Sequence, residues 1–461
     1  MPQSLIDRVR HQGGWAALPE GGFDLFAWLT AGVALSFLLP AWLRPITDPD
    51  YGWLVWLGDR ILGGHVPRTN GFSWTAPDMA WVSHETLVGL IYAVAGTGAV
   101  IFLRGAIVSA TALLMIGATH RPRCAPAGFL AFVWAILLID YGRTERALSW
   151  GDAMLALVVA LIANEKEARW RFALAAIAVG IWANVHGSFV VGVFIVAVID
   201  WRWGIAAALL TLVNPYGWHL WELVVGYGAG TDVKGLLNQT ITEWRRPDFG
   251  DPMTLLRFAL LFGGGGLIVW TSGARENGKW DWRKAWRPAL IWFGLTALAF
   301  QHRRFIDIAG IALAPWLAVA LERVLPPREG LRPWIQLAVA LPILAFLARG
   351  YGLDREAYPD DLPFASLQDK RLWNDFTLGG YLGQHGVRVF WDGRNDCYPA
   401  NVFSDGVLVE RLEPGWRDVL ERWRIDTVVT RRTTLAAALT REGWRLAGKW
   451  GEVAIVTRGA R

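Results

Sequence analysis

Two acids one residue apart, Asp48 and Asp50, flank Pro49 just beyond the end of an apolar run. Carboxylates at that height suit a general base, because a base must sit where an acceptor hydroxyl meets an activated donor held in lipid. Transfer of a sugar from a lipid phosphate fits that geometry, with Asp48 the first candidate base and Asp50 the second. The alternative is that both acids cap the helix that follows, which Asp does well. His84 and Glu85 open the next apolar run and share one rim with Asp48 if the loop folds back, as substrate contacts or as structural polar groups. Asn184 and His186 lie between two apolar runs, where polar side chains need a partner or a water-filled cavity. Hydrogen bonding between helices and a substrate cavity are the two readings there.

The basic candidates lie further along. Glu243-Trp244-Arg245-Arg246 falls in the longest non-apolar stretch of the middle chain, about residues 225–252, long enough for a second functional loop. Arg245 and Arg246, and the pair Arg303-Arg304 after His302, are candidate clamps for a lipid phosphate, because a guanidinium matches phosphate oxygens with paired donors. Headgroup contacts and positive-inside anchoring are the plainer alternatives. In the tail, Asp392-Gly393-Arg394 follows a strand-like run and Asn374-Asp375 and Gly379-Gly380-Tyr381 precede it. Loops converging on one strand edge would bind sugar or cover a membrane cavity; a salt-bridged turn is the alternative.

The elements that must position these groups follow from composition. The chain of 461 residues is 54% apolar and 18% charged, against about 45–50% and 25% in soluble proteins. Of the 85 charged residues, 32 fall within 351–461, so a membrane-embedded part, 1–350, precedes a water-soluble one, 351–461. The uncharged run Phe26–Leu43 is long enough to cross a bilayer. It follows a basic start holding Arg8 and Arg10 without a small-residue cleavage pattern, which predicts a retained first span with a cytoplasmic N-terminus. Further apolar runs near 86–103, 105–119, 125–139, 147–163, 172–185, 187–199, 204–218, 253–271, 287–301, 305–321 and 333–348 predict about ten to twelve spans, some tilted, broken or re-entrant. The 29 tryptophans, many flanking these runs, suit a membrane–water interface. The long loop 44–84 then faces outside, and its segment Gly52–Leu62 places Trp53, Trp56, Leu57 and Ile61 on one face, as in a helix lying on the bilayer surface. In the tail, strands at Val387–Trp391, Thr427–Thr430 and Val453–Thr457 alternate with helices at Trp416–Trp423 and Leu435–Arg441, predicting a small α/β domain that leans on the membrane part.

With those residues in view, the loop resembles the first outer loop of the GT-C class of polytopic glycosyltransferases, which carry one or two acids just after the first span. Within the class it is similar to a bacterial group patterned D-x-D, aromatics, G, VPxTDxFSxT and W-x-x-HEWL. The counterparts are Asp48, Asp50, Trp53, Gly58, the stretch Val66–Thr75, and Trp81, His84 and Glu85. The similarity continues through Trp182–Gly187, Asn214–Gly217, Glu243-Trp244, Asn374-Asp375, Gly379–Tyr381 and Asp392–Arg394. The chain departs where Leu54 stands for an expected His and Asn70 for an Asp. The resemblance implies a mainly α, polytopic transmembrane bundle with a small C-terminal α/β domain. It further implies a polyprenyl-phosphate sugar donor, an outer-loop Asp as base, sometimes a divalent metal (Mg or Mn), and an envelope glycan, lipid or protein as acceptor. The location implied is the bacterial inner membrane, multi-pass, with the first loop and the tail on the periplasmic side.

Other classes fit less well. The net charge of +5 comes from scattered Lys and Arg, often beside acids as in Glu165-Lys166-Glu167, with no basic stripe for nucleic acid. Cys124 and Cys397 support neither a disulfide framework nor a thiol–metal site. The Gly263–Gly266 run lies in an apolar span without a following Lys and is no phosphate loop. A non-catalytic scaffold of a polysaccharide assembly system shares the architecture, and the missing His at Leu54 speaks for it. A transporter is opposed by the lack of any internal repeat of the polar signatures.

Overall fold

The computed structural model describes residues 24–163, 168–229, 242–274, 279–330 and 333–459. Arg8, Arg10, the Glu165–Glu167 charges and the centre of the 225–252 stretch lie outside them. The helices are α1 (Leu25–Trp42), α2 (Asp50–Leu62), α3 (Thr86–Ala95), α4 (Thr97–Thr119), α5 (Ala125–Leu138), α6 (Ala147–Ile162), α7 (Arg169–Trp182), α8 (Phe189–Ile199), α9 (Trp201–Leu210), α10 (His219–Ala229), α11 (Pro252–Gly273), α12 (Trp282–Gln301), α13 (Arg304–Val324) and α14 (Trp334–Leu347). Among the described residues, α1, α4, α11 and α13 are long and apolar enough to cross a membrane, and shorter apolar helices pack among them. The mainly α bundle is that of a polytopic membrane protein. Asp24 starts α1 by accepting the amides of Phe26 and Ala27. Residues 86–119 break at Gly96 rather than near 104, because Gly96 takes φ +70°, where a glycine costs least. At the centre, α13 packs on α4, α5, α6, α11 and α12 and buries most of its length.

The tail continues with β1 (Leu372–Asn374), α15 (Gly379–Gln384), α16 (Ala400–Arg411), α17 (Trp416–Arg422), β2 (Thr427–Thr430), α18 (Thr433–Arg441), β3 (Arg445–Trp450) and β4 (Val453–Thr457). The sheet order is β1-β2-β4-β3, with β1 parallel to β2 and the other pairs antiparallel. The strand expected at Val387–Trp391 is not part of it. There the side chain of Asn374 imitates a neighbouring strand, accepting from the Phe390 amide and donating to the Trp391 carbonyl. On its other side Val389 pairs with the first loop, donating to the Phe72 carbonyl and accepting from the Trp74 amide.

The surface helix expected over 52–62 is a buried wedge instead. Every residue from Tyr51 to Gly58 is buried, because α3 covers one side and α15 of the tail covers another. Glycines permit both contacts: a Cβ on Gly52 would stand 2.5 Å from the Gly380 backbone, and one on Gly58 would collide with the Gly89 carbonyl. First loop and tail thus form one packed unit on the same side of the bundle, joined also by Asn70 Nδ2 donating to the Cys397 carbonyl at 3.0 Å.

Candidate active site

The loop that carries the acids is held from below by a buried ion pair. Arg104 of α4 and Glu145, each 2% exposed, meet at 2.8 Å. Arg104 also donates to the carbonyls of Ala41, Arg44 and Pro45, which leave the end of α1 without helical partners. Glu145 accepts the amides of Thr47 and Asp48 at 2.7 and 2.6 Å. The backbone of the acid loop is therefore fixed by charged groups from α4 and from the turn that precedes α6.

The next residue, Arg146, gathers the side chains. Its Nε lies 3.0 Å from the Asp48 carboxylate and 3.1 Å from that of Asp50, and its Nη1 lies 2.8 Å from Glu243. Two of the acids are also aimed independently of it: Asp48 Oδ1 accepts the Asp50 amide, and Asp50 Oδ1 accepts the Trp53 indole N–H, both at 3.1 Å. Glu243 faces a second cation at longer range, Arg304, at 3.9 Å. Arg304 sits over the Trp244 ring and donates to His186 Nε2 at 3.2 Å. On its other side His186 Nδ1 lies 2.7 Å from Ser188 Oγ and accepts the Ser188 amide at 3.2 Å.

These groups border a cavity of about 280 Å³. Its charged lining comprises Asp50, Glu85, Arg146, Glu243 and Arg304, together with Arg394 and Asp396 from the tail. Val190, Val191, Leu298, Phe305 and Ile308 of the membrane helices add apolar lining. Burial pushes the Asp50 carboxyl up to about 7; Arg146 opposes that rise, and neighbouring Asp48 adds to it. Burial raises Glu85 well above the usual range, helped by Asp50 and Asp396, and lifts Asp396 to about 6. Burial with the nearby Arg304 charge pushes His84 down to about 4, so it is neutral near pH 7.

The residues expected from sequence divide by position. Asp50, His84, Glu85, His186, Glu243, Trp244, Arg304 and Arg394 line the cavity. Asp48 stands one step behind, on Arg146. Asn184 donates to the Val213 carbonyl and ties the α7–α8 turn to the end of α9. Arg245 and Arg246 are exposed and lie outside the lining, while Arg303 faces Asp140 at 3.7 Å. Asp392 is fully buried and holds Arg394 through both carboxylate oxygens at 2.8–2.9 Å, with the Tyr398 hydroxyl also donating to Oδ2. Arg394 stacks on Phe72 and Trp81 and leaves Nη1 without a protein partner. Arg146, Arg104 and Glu145 did not stand out in the sequence. The available signal was the polar stretch Asp140–Arg146, four arginines or acids wedged between two apolar runs.

The donor set does not suit a divalent metal. The three nearest carboxylates close on a guanidinium, and among the described residues no three His, Cys, Asp or Glu groups cluster so as to hold an ion.

No protein-family model matches the chain, and no curated protein matches it by sequence. Among solved structures it is similar to the oligosaccharyltransferase of Archaeoglobus fulgidus, in the form tethered to an acceptor peptide containing the NVT sequon. The TM-score is 0.52 at 12% identity, over 94% of this chain and 74% of that one. The fold is of the GT-C type. ArnT from Cupriavidus metallidurans bound to undecaprenyl phosphate is similar at a TM-score of 0.45 and 15% identity, over 95% of this chain and 98% of that one. In this GT-C bundle the cavity lies where the first loop, the tail and the start of α13 meet.

Proposed function

We propose that the chain is a membrane glycosyltransferase that moves a sugar from a polyprenyl-phosphate donor to an envelope glycan, lipid or protein acceptor on the outer face, with Asp50 as general base. The observation that carries the reading is the mixed lining of one cavity: a carboxyl poised near pH 7 and three guanidinium groups beside apolar side chains of the membrane helices. The acceptor hydroxyl forms its bond to the anomeric carbon and gives its proton to Asp50. The bond from that carbon to the phosphate oxygen breaks, and the polyprenyl phosphate leaves with the electron pair. Arg304 is the candidate partner for that developing charge, since a fixed cation in a water-poor site stabilises it without reorganisation. Arg146 keeps Asp50 aimed, and Asp48 helps hold Arg146; that assigns Asp48 a positioning role beside the base.

The test is incubation of the purified full chain with a panel of polyprenyl-phosphate sugars, reading hydrolysis or transfer. Turnover lost in Asp50→Asn with unchanged elution and melting supports the reading. Retained turnover in that variant moves the base elsewhere, and no turnover of any donor favours a scaffold.

A further inference from the structure

We infer that Arg146 is the resident cation of this site, standing where a divalent metal would otherwise gather Asp48, Asp50 and Glu243, and that removing its guanidinium turns the three carboxylates into a divalent-cation site. Three acids from two distant segments converge within 3.1 Å of one side chain. A cation neutralises the mutual repulsion of three such acids, and here the chain supplies it. A metal entering the same space would meet a fixed positive charge a few ångströms away, a repulsion that a buried, water-poor site screens poorly. Mg²⁺ or Mn²⁺ needs oxygen ligands at about 2.0–2.2 Å in near-octahedral array, and the Arg146 nitrogens fill the approach to all three carboxylates.

The acids do not depend on Arg146 alone for their direction. Asp48 is turned by the Asp50 amide, Asp50 by the Trp53 indole, and Glu243 faces Arg304 at 3.9 Å. The loop backbone beneath is pinned by Glu145 rather than by Arg146. With a neutral residue at 146 the three carboxylates stay gathered, and their mutual repulsion is relieved by a hard cation with water completing its shell. The catalytic corollary, that transfer proceeds in chelator, rests on the glycosyl-transfer reading; the binding measurement does not.

The experiment is a titration of the full chain in nanodiscs with MnCl₂, reading free Mn²⁺ by electron paramagnetic resonance. The wild type is expected to leave the signal of added Mn²⁺ undiminished at one equivalent. R146Q is expected to take up about one Mn²⁺ per chain, and R146Q/D50N to lose it again. Wild-type protein that takes up one Mn²⁺, with uptake abolished by D50N, overturns the inference, as does an R146Q protein of wild-type melting that binds none. If R146Q elutes as aggregate, R146M replaces it, and the wild-type arm still decides against the inference by itself. Mn²⁺ behaviour as expected without turnover of any sugar donor would sink the transfer reading while leaving the resident-cation inference standing.

Discussion

The pH dependence of turnover follows from where Asp50 sits. A base must be ionised to take a proton, and burial lifts this carboxyl to about 7 against the pull of Arg146. The ionised fraction then climbs from about a tenth at pH 6 to about nine-tenths at pH 8, so kcat/KM should rise close to tenfold across that window, with the limb approaching unit slope below about pH 6. Asp48 and Glu243 add negative charge around Asp50. D48N should therefore move the limb to lower pH, and R146Q, measured in chelator, should move it higher. D50N should lose the limb and about 10²–10⁴-fold in rate, the usual worth of a general base. Asp396 titrates near 6 in the same cavity and is separated by the control D396N. The assay is initial-rate transfer or hydrolysis of a polyprenyl-phosphate sugar in mixed buffer, with a phosphodiester donor that does not itself titrate there. A wild-type limb near pH 4, or a limb near 7 that survives in D50N, refutes the reasoning.

The same carboxyl also weights stability. Its folded value lies above the unfolded one, so the fold gains from Asp50 fully below about pH 4 and loses that contribution as pH rises through about 7. Melting temperatures of D50N relative to wild type should accordingly be more favourable at pH 8 than at pH 5, and an equal difference at both would count against the shift. Glu145→Gln leaves Arg104 buried without its counter-charge and should cost about 3–5 kcal/mol, the usual penalty for breaking a buried pair. A melting point within a degree of wild type would show that the pair does not hold the acid loop. Gly52→Ala drives a Cβ against the Gly380 backbone and should cost about 1–3 kcal/mol as overpacking, with faster protease cleavage in the 348–363 segment; an unchanged digestion pattern would deny the close approach.

How far the sequence led can be judged residue by residue. The apolar runs are legible because a helix in lipid has to satisfy its own backbone, and the described bundle helices other than α2 and α10 overlap them. Arg104 was the exception: a single charge inside an apolar stretch reads as a boundary, whereas it sits in mid-helix, its partner Glu145 being 41 residues away. Nothing local announces a pairing across that distance. Arg146 was obscured in the same way, since its meaning comes from Asp48, Asp50 and Glu243, each about a hundred residues removed. The amphipathic pattern of α2 was real, with Asp59 and Arg60 exposed, but amphipathicity does not say what covers the buried residues, and part of the cover is α15, some 320 positions later. Val387–Trp391 has strand composition and lacks a strand partner because the Asn374 side chain takes one edge. Such substitution of an amide for a backbone neighbour leaves no periodic trace.

The wedge formed by α2 also sets an order of events during synthesis. Its buried face, Tyr51 to Gly58, leaves the ribosome early, yet Gly380 and Tyr381, which close over it, are made only in the last quarter of the chain. Until then the nascent protein carries an uncovered aromatic helix and a cavity lacking Gly393, Arg394 and Asp396. A product cut short between residues 50 and 380 would hold both acids and still lack Gly393, Arg394 and Asp396 of the cavity lining. Closure of the cavity therefore waits on the last quarter of the chain.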